Sequence, residues 1–226
     1  MRMAKRLKDR FGMPVNPSRV HLDNYVRDAG RSLPKGAVVL DAGAGDSIYR
    51  RHFESGIYES ADFAKVDKPY APDLTYVCDL AEVPVADGRY DLVVLTQVLE
   101  HLPEPLTVLR EMRRVIKPGA KIWASCPFYF VEHEQPYDFY RYTQFALRRL
   151  FTEAGFADIQ IDWLEGYWGT VGYQITLMAQ ALPRRLRPLK LGLRIIGELC
   201  SRRDLGSKRT DVGHPKNYTI IATAAY

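Results

Sequence analysis

The sequence predicts an α/β fold, a mostly parallel sheet flanked by helices, and three observations carry that prediction. Apolar runs bounded by turn residues alternate with helical patterns along most of the chain. The strongest runs, Ala37 to Asp41 and Tyr90 to Leu95, are continuously apolar, as strands buried on both faces must be. Several runs also close on an aspartate.

Taken in order, Ser18 to Leu33 reads as a leading helix and AVVLD (37–41) as the first strand. Tyr58 to Asp62 and Thr75 to Asp79 are weaker strands, followed by YDLVVL (90–95). Leu106, Leu109, Met112, Val115 and Ile116 recur at helical spacing until Lys117-Pro118-Gly119 stops the helix, because proline cannot continue the ladder. AKIWAS (120–125) is the fifth strand. Thr143 is placed to cap a helix carrying Phe145, Leu150 and Phe151, with Gly155 as its stop. Ile159 to Trp163 and NYTIIATA (217–224) are the last two strands. Between them, 164–216 reads as two helices broken at Pro183 to Pro188.

A chain of 226 residues that is 46% hydrophobic and 26% charged is long enough for a full core and is read as a single elaborated domain. Its expected parts are an N-terminal helical segment (1–35), a ligand-binding core (36–163), a helical insertion (164–216) and a last strand (217–226). Three widely spaced cysteines, Cys78, Cys126 and Cys200, without a CxxC pair give neither a disulfide framework nor a cysteine-rich zinc site, so a cytoplasmic setting is expected. No apolar run of signal-peptide or membrane-spanning length occurs.

The net charge of +5 is uneven, for Pro183 to Arg209 holds nine Lys or Arg against Glu198 and Asp204. Basic residues confined to one cluster, with no aromatic interleaving along a groove, argue against nucleic acid as the partner. Within that cluster Leu186, Leu189, Leu193, Ile196 and Cys200 fall at helical spacing beside Arg185, Arg187, Lys190, Arg194 and Arg203. A basic helix over 185–203 of this kind suits peripheral contact with an anionic membrane. Packing on the domain itself or on a second subunit, in a homodimer, is the favoured reading.

Asp41 ends the first strand, and Gly43 and Gly45 follow where the chain must turn sharply. Glycine lets backbone approach a ligand, although a tight turn with no ligand would look the same. A dinucleotide loop would need glycine at position 48, where Ile48 stands, so a nicotinamide-dependent dehydrogenase fits poorly. A carboxylate before the loop repels phosphate but suits a cofactor with an ammonium head, as S-adenosylmethionine has. Asp62, 21 residues beyond Asp41, stands where a carboxylate accepts both ribose hydroxyls. Asp79 ends the third strand, where it would meet an adenine amino group while the Leu80 amide faces a ring nitrogen.

The series VVLDAGAGD, YESADF, VCDLAEVPVADGRYDLVVLTQVLEHLPEP, EMRRVIKPGAKIWASCPF and LFTEAGF resembles the Rossmann-like S-adenosylmethionine-dependent methyltransferases, in particular the type 11 small-molecule family, over about residues 36 to 165. The resemblance implies a seven-stranded sheet of order 3-2-1-4-5-7-6 with the last strand antiparallel. It implies that Asp41, Gly43, Gly45 and Gln97 meet the methionine part, Asp62 the ribose, and Asp79 with Leu80 the adenine. In a related branch a glutamate at the position of Gln97 joins Glu100 and His101 in a divalent metal site. Glutamine is a poor substitute for a charged oxygen ligand, so no metal is expected and His101 is read as structural.

The acceptor side is read from PFYFVEHEQPYDFYRYT (127–143), which resembles a His-x-x-Pro-x-Asp-x-x-Arg-Tyr stretch found in a subset of the family. A hydroxyl acceptor must lose a proton, and His133 is the candidate base because a free imidazole is neutral at pH 7. Asp138 and Arg141 are read as an ion pair. Tyr137, Tyr140 and Tyr142 are candidate stacking surfaces for the substrate, and Trp168 a candidate roof. The expected activity is methyl transfer to a hydroxyl, or second to an amine, of a saccharide or aromatic metabolite. An adenosyl-cofactor binding module without catalysis is the alternative of another class.

Overall fold

The computed structural model describes residues 16–66, 69–208 and 210–226, so the basic N-terminal stretch and Arg209 of the cluster lie outside the described residues. The chain forms two compact units. One comprises Leu22–Leu164 with Asn217–Tyr226, the other the described residues among those up to His21 and in Glu165–Lys216.

The first unit holds one seven-stranded sheet. Its strands are β1 (Val38–Ala42), β2 (Ile57–Asp62), β3 (Tyr76–Val77), β4 (Tyr90–Thr96), β5 (Ile116–Pro127), β6 (Phe156–Trp163) and β7 (Asn217–Ala224), in the order β3-β2-β1-β4-β5-β7-β6. Strands β1 to β5 pair in parallel, and β7 lies antiparallel to both β5 and β6. This is the arrangement implied by the family resemblance.

The apolar runs explain themselves in this sheet. Leu40, Val93, Leu95 and Ile122 join the core on one face, while their neighbours Val39, Leu92 and Val94 join a second core on the other. Side chains alternate between faces, so strands covered on both sides need apolar residues at every position. Helix α1 spans Pro17–Arg31, and its Leu22, Val26 and Ala29 belong to the second core. Helix α2 (Pro105–Val115) buries Val108, Leu109, Met112 and Val115, one helical stripe contributing about 1.5–3 kcal/mol per large side chain. It ends one residue sooner than the spacing predicts, for Ile116 is already paired to Tyr90 as the first residue of β5, and the expected stop Lys117-Pro118-Gly119 lies within that strand. The Thr143 hydroxyl caps α3 (Gln144–Glu153) by accepting from the Ala146 amide at 3.3 Å.

The second unit carries α4 (Tyr167–Ala181) and α5 (Arg187–Gly206), separated by the proline-bounded break. Small residues set the packing face between them, since a Cβ on Gly172 would stand 2.8 Å from the Gly197 carbonyl. Buried Asp204 of α5 accepts from the Gly169 amide at 2.9 Å and lies 3.0 Å from His21 Nε2. The apolar stripe picked out by spacing is not that face. Leu186, Leu189 and Ile196 are exposed, and Gly197, Ser201 and Asp204 are buried instead. No helix among the described residues is long and apolar enough to cross a membrane.

Candidate active site

The order of strands reverses between β1 and β4, each flanked by a neighbour running outward, and in open parallel sheets the crevice beyond the carboxyl ends of such strands receives ligands. A cavity of about 230 Å³ opens there. Gly43 follows β1, Asp62, Phe63 and Lys65 follow β2, Asp79 and Leu80 follow β3, and Gln97, Val98 and His101 follow β4, all lining it. Leu102, Pro103, Glu134, Tyr137 and Phe139 complete the wall.

The glycine loop is shaped by contact as well as by its turn. Gly43 (φ 77°) lies against Val98, and a Cβ there would stand 2.3 Å from the valine Cγ2. Gly45 (φ 55°) has nothing within 4 Å of its missing side chain. Asp62 braces this loop: one carboxylate oxygen accepts from the Gly45 amide at 3.0 Å and the other from the Ala64 amide at 3.1 Å. Asp79, exposed at the far end, accepts from the Ala81 amide at 2.9 Å. Three residues in or beside the wall, Ala64, Gln97 and Glu134, take positive φ without being glycine, a strain that folds retain where a site depends on it.

Asp41 is placed differently from the reading of the sequence. It is fully buried, accepts the Tyr58 hydroxyl at 2.6 Å and is not part of the wall. Burial pushes its carboxyl up to about 6, the Tyr58 hydrogen bond pulling down and the Asp62 charge pushing up. Gly45 is not itself part of the lining but is tied to it through its bond to Asp62. Gln97 is in the wall, its amide Nε2 donating to Ser125 Oγ at 3.1 Å.

On the acceptor side only Tyr137 of the three tyrosines reaches the cavity, meeting Phe63 edge-on at 5.5 Å between ring centroids. Tyr140 lies outside, its hydroxyl donating to the Pro103 carbonyl. Tyr142 is a correction to its expected substrate contact: it is a buried core residue whose hydroxyl donates to the Leu99 carbonyl at 2.9 Å. Trp168 is an exposed residue of α4 in the helical unit.

His133 stands one layer back. Its amide donates to Asp138, and its ring meets the His101 ring edge-on at 4.7 Å. Asp138 and Arg141 form a two-pronged ion pair, with N···O distances of 2.7 and 2.8 Å, which holds the Asp138 carboxyl down at about 2. His101, read from the sequence as structural, is in the wall itself. Its Nδ1–H donates to the Tyr137 carbonyl at 2.5 Å, leaving the lone pair on Nε2, and burial holds the ring below its usual pKa. Glu100 beside it is fully buried, and burial pushes its carboxyl up to about 8. Both sit in a short turn after β4, the constellation with Gln97 that the sequence picks out.

The chemistry of this donor set fits an adenosyl cofactor. Asp62 keeps lone pairs for two hydroxyls beyond its two amides, and the open space over Gly45 and the strained Gln97 leave room for a charged amino-acid tail.

Residues 40–124 match the model of a family described as a methyltransferase domain. Over 126 residues the chain is 32% identical to the ubiquinone biosynthesis O-methyltransferase of Vibrio parahaemolyticus, covering 49% of this chain and 51% of that one. The chain thus spans about half the length of the curated relatives it matches. Among solved structures, a putative sarcosine dimethylglycine methyltransferase from Galdieria sulphuraria is similar with a TM-score of 0.58 at 15% identity, covering 95% of this chain and 92% of that one. Phosphoethanolamine N-methyltransferase 2 of Haemonchus contortus, in complex with S-adenosyl-L-methionine, gives 0.58 at 12% identity over 91% of this chain and 52% of that one. At such identities the structural likeness speaks for the fold.

Proposed function

We propose that this chain, which carries a methyltransferase domain of Rossmann-like fold, transfers the methyl group of S-adenosylmethionine to a hydroxyl oxygen of a small aromatic molecule. The observation that carries the reading is the shared wall, in which Asp62, Asp79 and Leu80 stand at one end and His101 with Phe63, Tyr137 and Phe139 at the other.

The bound cofactor would supply a methyl group on a sulfonium, already a good leaving group. What remains for the protein is placement, exclusion of water and removal of the acceptor's proton. Asp62 would hold the ribose and Asp79 with Leu80 the adenine, setting the methyl group near Gln97. Phe63, Tyr137 and Phe139 present ring faces and edges, a surface suited to an aromatic acceptor more than to a saccharide. Oxygen as the accepting atom agrees with the name of the curated relatives. Proton loss falls to the end where His101 lies, with His133 behind it.

Calorimetry should detect S-adenosylhomocysteine and no NAD, and a tritiated methyl group should pass to phenolic acceptors faster than to saccharides. Binding of NAD alone, or transfer to amines only, overturns the reading. His133→Ala should lower turnover by about tenfold or more, within the range of acid–base assistance, while leaving cofactor affinity unchanged. Equal turnover would assign His133 to structure.

A further inference from the structure

The helical unit leaves an aliphatic stripe of its own uncovered. Leu189, Ile196 and Leu199 of α5 stand at i, i+7 and i+10, on one face of the helix, and are exposed by 52%, 48% and 51%. Leu186, in the break just ahead of them, is 39% exposed. The buried side of α5 is taken by Gly197, Ser201 and Asp204 instead. A single exposed leucine needs no explanation, whereas a row of aliphatic residues along one face marks a surface that meets something.

Charge decides what meets it. From Pro183 to Lys208 the acids are Glu198 and Asp204 alone, and both are satisfied within the unit. Glu198 accepts from Arg202 Nε at 2.7 Å, and buried Asp204 holds the Gly169 amide and His21. Lys190 Nζ donates to the Gln180 and Leu182 carbonyls at 3.3 and 3.4 Å, which braces the corner between α4 and the break. Among the described residues Arg184, Arg185, Arg187, Arg194 and Arg203 stand in no ion pair. The surface around the stripe is therefore cationic, with three of these arginines gathered where α5 begins.

A second copy seated on the same face by two-fold symmetry would set these arginines against their own equivalents, with no acid on that face to offset them. Nucleic acid would meet the charge but find no aromatic ring in the stripe on which to stack a base. An anionic bilayer answers both features, because aliphatic side chains enter the boundary between headgroups and acyl chains while guanidinium groups stay among the phosphates. We propose that the break and α5, residues 184–203, form a peripheral docking surface for an anionic lipid bilayer. Leu186, Leu189, Ile196 and Leu199 enter the interface, and the five arginines pair with lipid headgroups. The helix lies on the membrane; it is not long and apolar enough to cross it.

The test floats the whole chain, without an affinity tag, on vesicles of phosphatidylcholine and on vesicles in which about a third of the lipid is phosphatidylglycerol. Binding to the anionic vesicles should be at least about fivefold stronger and should weaken as salt is raised from about 0.1 M to about 1 M. Reversing three charges together, Arg184→Glu, Arg185→Glu and Arg187→Glu, should weaken it by about tenfold or more. Leu189→Ser with Ile196→Ser keeps every charge and should weaken it by about threefold or more. Lys35→Glu, Arg110→Glu and Lys121→Glu, at exposed positions of the sheet unit, change the net charge as much as the arginine set and should alter binding by less than about twofold. Urea unfolding like that of the parent shows that a variant is folded. The proposal is overturned by no recovery or equal recovery on the two vesicles, by binding that survives both sets of changes at 184–196, or by an equal loss in the sheet-unit control. A dimer in sedimentation that Leu189→Ser with Ile196→Ser dissociates would give the stripe to a second copy and overturn it as well. Flotation is read without turnover, so each of these outcomes stands whether or not a phenolic acceptor is methylated.

Discussion

At the β2 end of the cavity Asp62 gives both carboxylate oxygens to amides, those of Gly45 and Ala64, whereas at the β4 end the Glu100 carboxylate meets no donor at all. Both are buried acids on the same sheet edge. The first is a finished piece of structure that would gain two more partners from a ribose. The second is unfinished and depends on what arrives. The contrast teaches that a site can be preorganised at one end by its own backbone and left open at the other.

The largest effect that would break this contrast lies at Asp62. Replacing it by alanine removes the proposed ribose acceptor and strands two loop amides, and hydrogen bonds to a charged group are worth about 1.5–3 kcal/mol each. Asp62→Ala should therefore weaken S-adenosylhomocysteine binding by about a hundredfold or more in calorimetry. A loss of less than about threefold, against a tenfold step of 1.4 kcal/mol, would mean that the carboxylate only shapes the loop and never meets the cofactor.

Asp41 sharpens the contrast, being a buried acid whose one strong partner is the Tyr58 hydroxyl. Its folded value of about 6 lies above the unfolded value of 3.8. The folded state therefore holds the proton more tightly, and the parent protein loses stability as pH rises from about 4 to about 6, with the full penalty above that. Asn at this position cannot ionise. Between pH 4 and pH 8 the stability of Asp41→Asn relative to the parent should rise by an amount on the order of 2–3 kcal/mol, measured by urea unfolding. A difference independent of pH would show that Asp41 ionises as freely as in an unfolded chain. Cofactor affinity should change little, since the carboxylate is buried against the Tyr58 hydroxyl and Asp41 does not line the cavity; a large loss would restore the direct contact read from the sequence.

These positions also show why some of the site was legible and some was not. Asp62 and Asp79 follow strands and bond to amides two residues on, in Ala64 and Ala81, so their placement is written in adjacent residues. The sheet order was implied by the family resemblance, whereas runs apolar at every position show by themselves only which strands lie in its covered centre. His101 and His133 come together across intervening β5 and α2, and nothing local announces that meeting. Asp41 shows that strand position fixes where a Cα goes but leaves its carboxylate free to choose Tyr58 from the neighbouring strand. Trp168 was read from its place in the chain, which gives an aromatic residue no address in space.

Tyr142 sets the smallest effect and separates a wall from what supports it. Its ring lies in the core beside α3, and its hydroxyl donates to the carbonyl of Leu99, the first residue of the turn that presents Glu100 and His101. Phenylalanine would keep the packing and remove one buried hydrogen bond, leaving the Leu99 carbonyl without that donor. Tyr142→Phe should cost about 1 kcal/mol of stability, and S-adenosylhomocysteine binding should stay within about twofold of the parent because the adenosyl end is braced separately by Asp62. A loss of turnover with cofactor affinity intact would tie the open end of the site to this one hydroxyl. A fall in cofactor affinity as large as that of Asp62→Ala would show instead that the two ends are not built independently.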